Sequence, residues 1–246
     1  MLSKARIKFI KSLQLKKYRK QEQCFVVEGG KSVLELLKSD FEVEQLLVTP
    51  EFREQSNMAL KAYKGEMLEV KPAELAEAGE YSTNDAALAL VRMKPNQEPS
   101  MIADEFILLL DDIRDPGNLG SIIRIADWYG ISKIVASEET ADVYNSKVIQ
   151  SSMGSFTRVS IFYANLAQYL PKSSLPVFGA FLDGNNVHEI NFGSGGLIVI
   201  GNEANGISKA VEKFVTKRIT IPRFGNAESL NAGIATAVIC DNIRRR

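Results

Sequence analysis

The chain predicts an α/β protein in two parts, a small mixed unit followed by a larger domain built on a parallel sheet. Three observations predict this. Short, continuous apolar runs recur through the second half with helical patterns between most of them, as expected of strands buried on both faces and joined by crossovers. The stretch Lys94, Pro95, Asn96, Gln97, Glu98, Pro99, Ser100 interrupts the pattern with the composition of a linker. At 246 residues the chain also exceeds the commonest domain size of roughly 100 to 150 residues, which leaves room for two.

Taken in order, Leu2, Ala5, Phe9 and Leu13 recur at helical spacing and predict an amphipathic helix anchored by those four. Its remaining face is cationic: Lys4, Arg6, Lys8, Lys11, Lys16, Lys17, Arg19 and Lys20 fall in residues 1–20 with no acid among them. Strands follow at 25–27, 45–49 and 87–91, with a Gly29-Gly30 break and a helical stretch at 32–38 between the first two. The boundary is placed at 96–104. Beyond it, strands are expected at 106–110, 133–136, 159–162, 177–182, 197–201 and 218–221. In a parallel sheet ligands sit beyond the carboxyl ends of the strands, so chemistry is sought in the loops that leave these runs.

Charge and composition exclude several classes. The formal net charge is zero, from 30 basic and 30 acidic residues, but the basic start, the acid-rich 35–80 and the terminal Arg244, Arg245 and Arg246 make it uneven. The basic segment points to a polyanionic partner. No apolar stretch approaches the ~20 residues that span a bilayer, and the basic start lacks the apolar core of a signal peptide, so a cytoplasmic location is expected. Cys24 and Cys240 stand alone and far apart, which gives neither a disulfide framework nor metal-ligand spacing.

Three loops carry the candidate chemistry. The first runs from Asp111 through Asp112, Asp115, Pro116, Gly117, Asn118 and Gly120 to Arg124. It has neither the spacing of a dinucleotide fingerprint nor the Lys-Ser/Thr pair of a P-loop, which disfavours a nucleotide-dependent hydrolase. The second is Gly201, Asn202, Glu203, Ala204, Asn205, Gly206, where Glu203 would also suit the start of a helix near Ser208. The third joins Ile221, Pro222 and Arg223 to Glu228, Ser229, Leu230 and Asn231 at the last helix, with Ser229 a plausible N-cap. Gly233 inside that helix costs about 1 kcal/mol relative to Ala, which predicts close approach of another backbone.

Together these loops resemble the three motifs of the SpoU/TrmH family of RNA ribose methyltransferases. D-x-x-D-P-G-N-x-G-x-x-x-R stands at 112–124, G-N-E-x-x-G at 201–206, and I-P followed by E-S-L-N at 221–231. The run S-K-V-I-Q-S-S-M-G at 146–154 resembles the family's connecting helix, and 18–29 with the following helix resembles its small ribosomal-protein-like RNA-binding domain. Departures are Arg223 where many relatives have Met, Ala232 and Gly233 where they have Val-Ser, and Ala86 or Ala87 where they have Gly.

The resemblance implies a SPOUT-type C-terminal domain (105–246) with a deep trefoil knot, preceded by an RNA substrate-binding domain (1–95). It implies S-adenosylmethionine as cofactor, held by Gly201, Gly206, Ile221, Leu230 and Asn231, and no metal. It also implies a homodimer with the active site at the subunit interface. Asn118, Ser229 and Asn231 would orient the reactants, with Glu203 supporting Arg124 or the interface. A guanidinium stays protonated, so Arg124 is read as an electrostatic partner of a phosphate or developing alkoxide. The lone His188, beside a turn expected at 183–186, is an unfavoured base. Ribosomal RNA is the expected substrate. The alternatives are tRNA and a catalytically silent RNA-binding or ribosome-assembly protein on the same fold.

Overall fold

A computed structural model describes residues 2–245. The elements begin with α1 (Lys4–Ser12), α2 (Lys16–Glu22), β1 (Cys24–Glu28), α3 (Gly30–Leu36), β2 (Val43–Val48), α4 (Pro50–Gln55) and α5 (Asn57–Leu60). They continue as β3 (Glu66–Glu69), α6 (Pro72–Ala78), β4 (Ala87–Arg92), β5 (Phe106–Asp111), α7 (Pro116–Trp128), β6 (Lys133–Ala136) and α8 (Ser146–Ser152). The remainder is β7 (Ser160–Tyr163), α9 (Leu166–Tyr169), β8 (Val177–Asn186), β9 (Gly196–Gly201), α10 (Lys209–Glu212), β10 (Lys217–Thr220) and α11 (Ala232–Arg244).

The chain divides into two compact units. The first holds residues up to Pro95 together with Tyr144–Thr157, and the second holds Asn96–Val143 and the chain from Arg158 onward. The connecting helix α8 therefore groups with the small unit, although it lies in the second half of the sequence. Tyr144 packs on Phe25 of β1 with ring centroids 4.5 Å apart, and Phe156 meets both Phe25 and Phe41.

The small unit is a four-stranded sheet in the order β1-β4-β2-β3, antiparallel except for β2 with β3. Its centre is β4, buried from Ala87 to Val91. On one side α1 lies against α6, burying Ile10 and Leu13 with Leu2, Leu47, Leu75, Leu88 and Leu90. The helix face differs from the expected one: Ala5 is exposed and Ile10 takes its place in the core. Two of the eight early bases are structural. Arg19 is buried and donates to the carbonyls of Leu13 and Gln14 just past the end of α1, and Arg6 donates to Gln45 at 2.7 Å.

The second unit is a six-stranded sheet in the order β10-β8-β9-β5-β6-β7, parallel throughout. Side chains alternate across each strand. Ile107, Leu109, Leu197 and Val199 face a core with Tyr169, Ile207 and Val211, while α7 and α11 pack together and α11 also meets β9. Burying a Leu or Ile fully is worth about 1.5–3 kcal/mol, so the wholly buried Ile107–Leu110 run makes β5 the anchor of the sheet.

Other expectations are corrected here. Residues 183–186, read as a turn, continue β8; past a register shift at Arg218/Ile219, Asn185 and Asn186 pair with Ile219 and Thr220 of β10. Of the terminal bases, Arg244 donates to the carbonyls of Tyr129 and Gly130 at the end of α7, and Arg245 pairs with Asp241 at 2.6 Å. Arg246 lies outside the described residues.

Candidate active site

The site belongs to the second unit, and its three loops leave the carboxyl ends of β5, β9 and β10. Because β8 and β9 separate β10 from β5 in the sheet, the loops must reach across strand ends to meet. They do so through side chains.

The first loop is set by Asp112, whose φ of 62° is left-handed, a conformation tolerated by Asp and Asn better than by most residues. Hydrogen bonds on its backbone and side chain hold it. Its N–H donates to Ser137 Oγ at 3.0 Å, its carbonyl accepts from Asn202 Nδ2 at 2.8 Å, and its carboxylate accepts from Arg114 Nε at 2.7 Å. The chain then enters α7 with Asp115 as N-cap, accepting from the N–H of Asn118 at 2.8 Å, and Pro116 in the first turn. This presents the half-buried Asn118 side chain.

Asn118 Nδ2 donates to Glu203 Oε1 at 2.5 Å, and Asn231 Nδ2 donates to Asn118 Oδ1 at 2.7 Å. One residue from each motif thus joins a continuous Glu203–Asn118–Asn231 chain. Asn231 also caps α11, its Oδ1 accepting from the N–H groups of Gly233 and Ile234. Ser229, the expected cap, lies exposed two residues before this position. Gly233 sits beside the Ser121 and Ile125 side chains of α7, so the close neighbours are side chains rather than a second backbone.

The second loop is closed by paired backbone bonds between Asn202 and Gly206 at 3.0 and 2.9 Å. Gly206 has φ +67°, and a Cβ on Gly201 would stand 2.3 Å from the carbonyl carbon of Gly206. Both glycines are therefore required by the turn itself. The buried Asp111 fixes the loop's exit by accepting from the N–H of Ser208 at 2.7 Å.

The third loop is open. Residues 222–230 adopt no regular element, and no backbone hydrogen bond engages 221–230 among the described residues. Leu230 is 47% exposed and Ile221 half-buried. Arg223, the departure from Met, donates to the carbonyl of Ala227 at 3.2 Å.

Two candidates stand apart from this cluster. Arg124 lies on the exposed side of α7, about 9 Å of helix rise beyond Asn118, and Glu203 bonds Asn118 rather than Arg124. His188 Nδ1 is bonded to Asn242 near the far end of α11, about 16 Å of helix rise from Asn231. Sequence reasoning missed Asp112, Asn202, Ser137 and Arg114. The first two stood inside quoted motifs, and their Asp and Asn chemistry was the available signal; nothing in the run after β6 marked Ser137. Among the described residues no cluster of His, Cys, Asp and Glu could hold a metal ion, and no helix is long and apolar enough to cross a membrane.

Comparison with known proteins places these features. Residues 105–241 match the SpoU rRNA Methylase family, and residues 4–89 match the MRM3-like substrate binding domain. The 23S rRNA (guanosine(2553)-2′-O)-methyltransferase RlmP of Bacillus subtilis is 30% identical over 97% of this chain and 96% of its own. A TrmH-family structure from Porphyromonas gingivalis is 36% identical with a TM-score of 0.86, covering 99% of this chain and 98% of that one. The SpoU methyltransferase AviRb of Streptomyces viridochromogenes, solved in complex with AdoMet, is 26% identical with a TM-score of 0.86 over 98% of this chain and 97% of its own. With the motifs, the parallel sheet and a full-length relative in agreement, the chain belongs to the SpoU rRNA methylase family.

Proposed function

We propose that the protein transfers the methyl group of S-adenosylmethionine to a ribose 2′-hydroxyl of ribosomal RNA. The observation that carries this reading is the Glu203–Asn118–Asn231 chain, which ties the three family motifs into one site. The relatives support the substrate: RlmP is named as a 23S rRNA 2′-O-methyltransferase, and AviRb was solved with AdoMet.

The residues suit that cofactor. Apart from the Ala227 carbonyl, which accepts from Arg223, the peptide groups of 221–230 offer donors and acceptors, Ile221 and Leu230 offer apolar surface, and Gly201 and Gly206 keep side chains out of the neighbouring turn. When bound, S-adenosylmethionine supplies an electrophilic methyl group on a sulfonium. The chain's own part is orientation, which can supply several kcal/mol of acceleration. In this reading Asn118, Ser229 and Asn231 fix the ribose and cofactor, and Glu203 fixes Asn118.

Arg124 acts as the positive partner of the developing alkoxide or its phosphate, from the surface of a homodimer. Trp128 is 83% exposed one turn beyond Arg124 on the same helical stripe, and Ile234 on the adjoining α11 is 55% exposed. Large apolar groups left open on two packed helices support a self-association face there. A second copy covering that face would place its own Arg124 at the interface. Residues 1–95, the larger part of the small unit, are read as the RNA-binding domain, the exposed lysines at 4, 8, 11, 16, 17 and 20 supplying positive charge. The cytoplasm, where ribosomal RNA is found, is the proposed location.

The test is methyl transfer from labelled S-adenosylmethionine to unmodified 23S rRNA, followed by mapping of the product as a ribose 2′-O-methyl group. Failure of a folded preparation to bind the cofactor would reject the reading. Cofactor-free RNA binding alone would favour a silent assembly role.

A further inference from the structure

A ribose held for methylation carries a phosphodiester on each side, yet the bonded centre of the site is neutral or acidic. Asn118 and Asn231 are amides, while Asp111, Asp112, Asp115 and Glu203 are carboxylic residues. An RNA backbone entering such a site needs a fixed cation. Arg124 sits further along the exposed side of α7, and Arg223 is engaged with its own loop.

Arg114 meets the need. It stands in the first loop, four residues before Asn118, and its side chain is 70% exposed. Its Nε donates to Asp112 Oδ1 at 2.7 Å. Among the described residues, Asp112 is its hydrogen-bonded partner, and Glu139 adds a further negative charge nearby. A guanidinium bonded through Nε keeps its two terminal NH2 groups for a second anion, and that edge matches phosphate geometry. The anchor is rigid as well, because Asp112 is held by Ser137 from the strand β6 side and by Asn202 from the second motif. The cation is thus aimed by the same backbone that builds the site, which lowers the ordering cost of binding.

We propose that Arg114 is a substrate-positioning residue that holds an RNA backbone phosphate at the mouth of the methyl-transfer loops, its guanidinium oriented by Asp112. The inference rests on the RNA-methylating reading above and names a contact which that reading leaves open.

The test compares wild type, Arg114→Ala, Arg114→Lys and Asp112→Asn. RNA affinity is read by filter binding to unmodified 23S rRNA across a salt series, turnover by methyl incorporation, and cofactor affinity by calorimetry. Arg114→Ala is expected to weaken RNA affinity and raise KM for RNA about tenfold. It should also reduce the magnitude of the slope of log affinity against log salt by about 0.7 to 0.9, the loss of one phosphate contact. Cofactor affinity should not change. Arg114→Lys should restore the slope but only part of the KM, and Asp112→Asn, which tolerates the left-handed backbone, should show a smaller KM effect with the slope intact. An Arg114→Ala protein with wild-type KM and slope, or one that loses cofactor affinity in parallel, overturns the proposal. A wild-type protein that binds RNA through Arg114 but never methylates it would overturn the functional reading and leave the phosphate contact standing.

Discussion

Asn118 donates a hydrogen bond to Glu203 and accepts one from Asn231, so a single amide links the first motif to both of the others. An amide is suited to this because it carries donor and acceptor on one planar group. Asn118→Ala removes both bonds and Asn118→Asp replaces the donor with a second carboxylate facing Glu203. Both variants are expected to lose methyl transfer about tenfold to a hundredfold, Asp more than Ala. Asn231→Ala should lose activity too, and in addition about 1 kcal/mol of stability, because Asn231 also caps α11. Paired measurements of turnover and thermal unfolding separate the two cases.

A second prediction concerns Gly201. A methyl group there would stand 2.3 Å from the carbonyl carbon of Gly206 and 2.4 Å from the nitrogen of Ile207, both of them backbone atoms that cannot rotate away. Gly201→Ala is expected to cost about 1–3 kcal/mol through overpacking and to abolish cofactor binding by displacing the turn. Denaturant unfolding and calorimetry check both. Wild-type cofactor affinity in a destabilised Gly201→Ala protein would remove this turn from the cofactor site.

Much of this was readable beforehand because local chemistry and tertiary context agreed. The β5 run has an apolar side chain at every position from Phe106 to Leu110, and only a strand buried on both faces accommodates that. Where several residues of one type competed, sequence could not choose. Ser229 and Asn231 are both good caps, and the decision went to the residue that could also reach Asn118. Arg19 and Arg244 look like free surface charge, but each is bonded to carbonyls at a helix end, which only the folded chain brings within reach. The strand β3 escaped notice because it is a short edge strand whose residues are largely open to solvent, with no alternation to mark it.

The two thiols provide a simple check on burial. Cys24 and Cys240 are both buried, and desolvation pushes each thiol up to about 12. Since the thiolate is the reactive form, neither should react with a disulfide reagent at neutral pH until the protein unfolds. Rapid labelling of Cys240 in the native protein would contradict the packing of α11.

Glu28 predicts a pH effect in the small unit. Burial raises its carboxyl above the ordinary range, although the N–H groups of Glu80 and Tyr81 donate to it and oppose the shift. A raised value in the folded state means that folding takes up a proton between the ordinary and the raised values. The contribution of Glu28 is therefore fully present below the ordinary carboxylate range and is lost as pH rises through the raised value. Thermal unfolding from acid to neutral pH should show this decline in the wild-type-minus-Glu28→Gln difference, where the opposing carboxylates with lowered values, Asp40, Glu74 and Asp183, cancel.

The last prediction addresses how Arg124 reaches the chemistry. It shares no bond with Asn118, lies about 9 Å of helix rise away, and occupies the exposed stripe of α7 that also carries Trp128. Arg124→Ala is expected to lower kcat about a hundredfold with little change in cofactor affinity, as for loss of an oxyanion partner. If Arg124 serves the site of a second copy, Trp128→Glu should yield monomers with the same defect, detectable by light scattering. Mixing then decides the route. In a heterodimer of one Asn118→Ala and one Arg124→Ala protomer, the Arg124→Ala protomer retains its own Asn118 and receives Arg124 from its partner, so one site is complete. Purified with two different tags, this heterodimer should approach half of wild-type activity while each parent homodimer stays at its own reduced level. If Arg124 works within its own protomer, neither site is complete and the heterodimer stays at the reduced level of its parents.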